Sequence, residues 1–190
     1  MKTKDTYSKN IARTFSSIGQ RLMNERLVGG NFGNMSVRME DGFCITPTGS
    51  FLDDISSVVH VPFHGDVPKQ ASSEYRVHRE IYARTDAQAL VHAHPSYAVS
   101  ASLMACSDQL TPIDSEGKMF APMIPIVTGE PGTQELAARV CDALMHAQGC
   151  IAKGHGTFCI GETLEQAYLV SSLIEHSCAV LIHTGTIQPR

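Results

Sequence analysis

The segment Ala89-Leu-Val-His-Ala-His-Pro95 constrains this chain more than any other. Its apolar run has the length of a strand, and Pro95 closes it. Side chains two apart on a strand point to the same face, so His92 and His94 share one side at a strand end, where sites tend to open. Two imidazoles so placed can grip one cation, with zinc–nitrogen bonds of roughly 2.0–2.1 Å. They can equally be two exposed or core-satisfied histidines, and the spacing alone does not choose.

Helices and short strands are interleaved around this segment. Ile11, Phe15, Ile18, Leu22 and Met23 recur at helical spacing and predict a helix over residues 6–26. Glycines and asparagines then interrupt regular structure over residues 29–34. Met35–Arg38 and Phe43–Thr46 read as strands joined by a hairpin turn at Asp41-Gly42. Val58–Phe63 is a further short strand, and Ser72 or Ser73 can cap a helix running to about Arg84. After Pro95 a helix reaches about Met104, and Ile124–Val127 is extended. Thr133 caps a helix to about Ala147, with Gly149 as its C-terminal stop. Cys150–Lys153 and Phe158–Gly161 read as strands around Gly154-His155-Gly156. Thr163 opens the last helix, and Gln166 completes a capping box. This pattern predicts a layered α/β fold whose sheet has a large antiparallel component.

The length of 190 residues fits one domain spanning 1–190, and a 43% hydrophobic content supplies its core. A formal net charge of −4 with no long basic run marks no nucleic-acid binder. The N-terminus lacks an apolar signal core, and no apolar stretch approaches the roughly 18 residues a membrane span needs. Cys44, Cys106, Cys141, Cys150, Cys159 and Cys178 are scattered and form no CxxC pair, which predicts reduced thiols and a cytoplasmic setting.

His155, between two glycines after a strand, is either an ordinary tight turn or a third imidazole. Three histidines leave the open metal position that catalysis needs. Glu74 stands at a helix start, where a carboxylate caps the helix, serves as a general base or adds a displaceable ligand. Ser72 and Ser73, with Gly30, Gly33, Asn34, Thr48 and Gly49, offer backbone N–H groups and small polar side chains. They suit either turns or a phosphate held without basic residues. His60, His64, His78, His146, His176 and His183 read as structural or surface residues. For His78, one turn after Glu74, support of the site is the alternative to helix packing.

Taken together, these motifs resemble the class II aldolase/adducin family over about residues 8 to 183. They are Gly33-Asn-Met-Ser-Val-Arg38, Ile45-Thr-Pro-Thr-Gly49, Ser72-Ser-Glu-Tyr-Arg-Val-His78, Ala89–His94 and Gly154-His-Gly156, followed by the closing helix from Leu164. Their order and spacing carry the resemblance. It implies a three-layer α/β/α sandwich with a central, mostly antiparallel sheet. It implies one zinc ion per subunit on His92, His94 and His155, with Glu74 as catalytic acid/base. Asn34, Thr48, Gly49, Ser72 and Ser73 would bind a substrate phosphate, and Asn31 would contribute from a position where the family carries another side chain. The implied reaction is reversible cleavage of a ketose 1-phosphate to dihydroxyacetone phosphate and a short aldehyde, in a homotetramer with active sites between subunits.

Two departures stand out. Family aldolases donate a tyrosine to a neighbouring site from the stretch that here reads Pro112-Ile-Asp-Ser-Glu-Gly117, where Asp114 or Ser115 would have to substitute. The chain also ends at Arg190, short of the tail that covers the site in longer members. The same fold serves 4-epimerases, dehydratases and decarboxylases of sugar phosphates. Epimerases typically carry aspartate where Glu74 stands, and an adducin-like interaction module would be expected to lose the histidines.

Overall fold

The structure is a computed structural model and describes residues 2–187. In chain order the elements are α1 (Lys2–Asn24), β1 (Asn34–Arg38), β2 (Gly42–Ile45), β3 (Val59–Pro62) and α2 (Tyr75–Arg84). Then come β4 (Ala89–Ala93), α3 (Ser96–Met104), β5 (Gln109–Leu110), α4 (Ser115–Phe120) and β6 (Ile124–Val127). The chain closes with α5 (Gln134–Leu144), β7 (Gly149–Ala152), β8 (Gly156–Gly161) and α6 (Leu164–His183).

The strands form one eight-stranded sheet in the order β3-β2-β1-β4-β8-β7-β6-β5. Every neighbouring pair is antiparallel except β6 and β7. Alternation along β4 sorts the core. Ala89, Val91 and Ala93 pack with α1 and α6, while Leu90 joins Phe158 and residues of α2 and α5 on the other side. A third cluster sets α3 and α6 against β6, β7 and β8. The result is the three-layer α/β/α sandwich that the family resemblance implies, and its mostly antiparallel sheet agrees with the sequence pattern. Among the described residues no helix is long and apolar enough to cross a membrane.

Three local expectations need correction. Neither Ser72 nor Ser73 is the N-cap of α2; Glu74 occupies that position with φ −81° and ψ 5°, and its side chain makes no capping bond. Gly149 does not stop α5, which caps at Met145; it opens β7 instead, set opposite Cys159 of β8. At α6 the Thr163 hydroxyl accepts from Gln166 N–H at 3.2 Å, but Gln166 reaches back to the amide of Glu162, one residue earlier than a capping box requires. Two elements, β5 and α4, were not anticipated. Asp114 caps α4 by accepting the Gly117 N–H at 2.7 Å.

Candidate active site at the end of the central strands

β4 and the β7–β8 turn bring three histidines together. His92 lies inside β4 and is 1% exposed, His94 follows directly after the strand, and His155 ends the turn into β8. The ring centroids lie 4.7 Å apart for His92–His94, 4.7 Å for His92–His155 and 5.0 Å for His94–His155. One ligand nitrogen from each ring lies within 4.8 Å of the others, and no other such group occurs among the described residues. Two glycines make the approach possible. Gly154 turns the chain with φ +71°, and a Cβ on Gly156 would come within 2.2 Å of the Ala93 carbonyl oxygen.

His92 is held from two sides. Its ring stacks on Phe158 at 4.1 Å and 13°, and its Nδ1 lies 2.9 Å from the Thr157 carbonyl oxygen. A carbonyl only accepts, so Nδ1 carries the proton and Nε2 is left with its lone pair. That Nε2 lies 2.9 Å from His94 Nε2. Nitrogens around a tetrahedral ion with 2.0–2.1 Å bonds sit about 3.3 Å apart, so a small widening would admit one. His155 Nδ1 is buried with no hydrogen-bond partner.

Burial, helped by the neighbouring His94 and His155, holds His92 well below the usual imidazole range. Burial and His155 bring His94 down to about 4, and burial lowers His155 as well. Neutral rings with free lone pairs are what a cation requires, and three of them leave a coordination position open. The donor set therefore fits a divalent metal. Phe32, itself exposed, stacks on His94 at 5.6 Å and 15°. Neither aromatic was singled out in the sequence. Phe158 becomes identifiable only through the β4–β8 register, which sets it opposite His92.

The six small polar residues lie in three loops and on β1. A Cβ on Gly49, whose φ is +71°, would lie 3.9 Å from Asn31 Nδ2. The Thr48 N–H donates to Gln70 O at 2.8 Å and Pro47 bridges Ala71, which ties the Thr48-Gly49 loop to the segment just before Ser72-Ser73. Asn34 is buried at the start of β1, directly opposite His92 in the β1–β4 register. Opposed residues share a sheet face, so Asn34 and His92 do. Asn31, Thr48, Gly49 and Ser73 are exposed, and Ser72 is buried.

Glu74 is 6% exposed, and its Oε2 is buried without a hydrogen-bond partner. Burial raises its carboxyl above the usual range, against weaker opposing pulls from the Gly132 N–H and Arg76. It lies outside the three-histidine group, so a fourth-ligand role has no support in this geometry. Asp114 serves α4. Burial pushes its carboxyl up, but the Gly117 N–H and further lowering contacts outweigh that and hold it below the usual range, a poor state for a proton donor.

A three-layer α/β sandwich with convergent histidines at a strand end defines a known class. The chain belongs to the class II aldolase and adducin N-terminal domain family, whose model matches residues 13–182. Among its relatives is an L-fuculose phosphate aldolase of Methanocaldococcus jannaschii, 30% identical and covering 90% of this chain and 94% of that protein. A 5-methylthioribulose-1-phosphate/5-deoxyribulose-1-phosphate aldolase of Rhodospirillum rubrum is also 30% identical, over 77% of this chain and 68% of that one. The crystal structure of an L-fuculose-1-phosphate aldolase from Thermus thermophilus superposes with a TM-score of 0.88 at 35% identity, covering 93% of this chain and 95% of that chain.

Proposed function

We propose that this chain is a zinc-dependent aldolase that reversibly cleaves a ketose 1-phosphate of the fuculose 1-phosphate type to dihydroxyacetone phosphate and a short aldehyde such as lactaldehyde. The observation that carries the reading is the convergence of His92, His94 and His155 within 4.8 Å. The ion would be held by these three rings, and when bound it supplies Lewis-acid polarisation of a carbonyl. The chain's own residues do the rest. Asn31, Asn34, Thr48, Gly49, Ser72 and Ser73 hold the phosphate with neutral donors. Glu74 takes the proton from the carbon next to the carbonyl of dihydroxyacetone phosphate, and burial raises its affinity for that proton above that of an ordinary carboxylate. The protein works as a homotetramer in the cytoplasm.

A second reading, 5-methylthioribulose 1-phosphate or 5-deoxyribulose 1-phosphate as substrate, is favoured by the name of the Rhodospirillum relative. Both readings share a phosphate and a ketone and differ only in the aldehyde released. Zinc-loaded protein is incubated with each of the three sugars, and dihydroxyacetone phosphate is assayed. Release from one of them identifies the aldehyde, and no triose phosphate from any of them overturns the aldolase reading.

A further inference from the structure

A buried polar chain runs from helix α2 into the β1 strand and ends at Asn34. His78 is 0% exposed, with Nε2 2.6 Å from Asn34 Oδ1 and Nδ1 2.6 Å from Ser36 Oγ. Ser36 Oγ in turn lies 2.7 Å from the hydroxyl of Tyr82, itself 2% exposed. Asn34 and Ser36 are two apart on β1, so both face α2, while His78 and Tyr82 are one turn apart on that helix. Burial brings His78 down to about 3, so the ring is neutral and carries one N–H.

The direction of the chain follows from its far end. Among the described residues, Ser36 is the only partner of the Tyr82 hydroxyl. If protons ran from Asn34 toward Tyr82, the buried phenol O–H would have no acceptor, which native interiors avoid. Run the other way, every group is satisfied. Tyr82 donates to Ser36, Ser36 donates to Nδ1 of His78, and Nε2–H donates to Asn34 Oδ1. The amide of Asn34 is then locked with its oxygen turned inward. Its nitrogen has no acceptor among the described residues and is not among the fully buried atoms.

We propose that His78 is a positioning residue that fixes the amide of Asn34 so that both its N–H donors face the substrate phosphate. The proposal rests on the phosphate reading above. A free asparagine presents oxygen or nitrogen with similar ease, and an oxygen would repel the phosphate. With Tyr82, Ser36 and His78 behind it, Asn34 acts as a donor only, which supplies part of what a basic residue provides elsewhere.

The test combines spectroscopy on the unaltered protein with binding by variants, using inorganic phosphate and dihydroxyacetone phosphate as probes on the zinc-loaded enzyme. Side-chain 15N spectra of the wild type should show His78 protonated on Nε2 alone; protonation on Nδ1 overturns the proposal and needs no variant to fold. His78→Gln, whose amide can still donate toward Asn34, should keep wild-type phosphate affinity. His78→Asn, which is too short to reach, should weaken both probes about ten- to a hundredfold and raise KM with little change in kcat or metal content. Asn34→Ala separates the two ideas. Unchanged affinity in Asn34→Ala overturns the phosphate reading itself. Weakened affinity there, with none lost in a folded His78→Asn, overturns the positioning role and leaves the phosphate reading standing.

Discussion

His92 donates its Nδ1–H to the Thr157 carbonyl oxygen over 2.9 Å, and because the acceptor is backbone, no side-chain change in β8 can remove it. The bond commits Nε2 to lone-pair duty before any ion arrives. His94→Ala and His155→Ala leave this bond intact and delete one donor each. Each should weaken zinc binding by at least about tenfold to a hundredfold in a chelator competition assay. Wild-type retention in either variant would remove that residue from the ligand set.

Glu74→Gln should keep the metal and lose about 10²- to 10⁴-fold in turnover and in α-proton exchange of dihydroxyacetone phosphate. Glu74 must be ionised to take a proton, and burial raises its carboxyl above the ordinary value. Activity should therefore rise with pH through a midpoint above the ordinary carboxylate range, and that limb should vanish in the variant. A kcat/KM profile with its limb at the ordinary carboxylate value would contradict this.

Buried His78 sets a pH dependence of stability. It titrates at 6.5 when unfolded and at about 3 when folded. Between those values the unfolded chain binds the extra proton. Stability is thus complete above the unfolded value and lost as pH falls through the window, by about 1.4 kcal/mol per pH unit for one such group. His92 and His94 are shifted in the same direction and steepen the loss in metal-free protein. Urea unfolding of the metal-free chain between about pH 5 and pH 7 measures it, and a flat profile would count against a buried neutral His78.

Gly156→Ala should destabilise the protein by about 1–3 kcal/mol or more, because a Cβ there meets the Ala93 carbonyl at 2.2 Å and His92 Cε1 at 3.2 Å. Zinc affinity should fall with it, since the clash pushes β8 away from His92. Gly29→Ala, with nothing within 4 Å of its new methyl, is the matched control and should unfold as the wild type does.

Most of this organisation is legible in the residues themselves. The apolar run before His92 and the proline after His94 mark the central strand, and Thr163 marks the last helix through its own hydroxyl. What stays hidden depends on pairing across the sheet. Phe158 and Ser36 are unremarkable in sequence, and each gains its role from the residue set opposite or above it. Either serine is a good cap by type, whereas the backbone gives that position to Glu74, whose carboxylate takes no part in capping. β5 and α4 went unseen because a two-residue strand and a six-residue helix are too short to show a period. His78 reads as helix packing until its two nitrogens are seen to bridge β1.

β4 carries His92 and is hydrogen-bonded on both flanks, to β1 and to β8. Such a strand opens only when the whole molecule does, so its amides should be among the slowest in the chain to exchange with deuterated solvent. The glycine-flanked loops around Asn31 and Thr48 lie at the other extreme, exposed and outside any ladder. The site thus joins a rigid half to a yielding half. The groups that would fix the ion, and Asn34 beside them, are held by the global stability of the fold, while the exposed loop donors at Asn31, Thr48 and Gly49 can move without disturbing them.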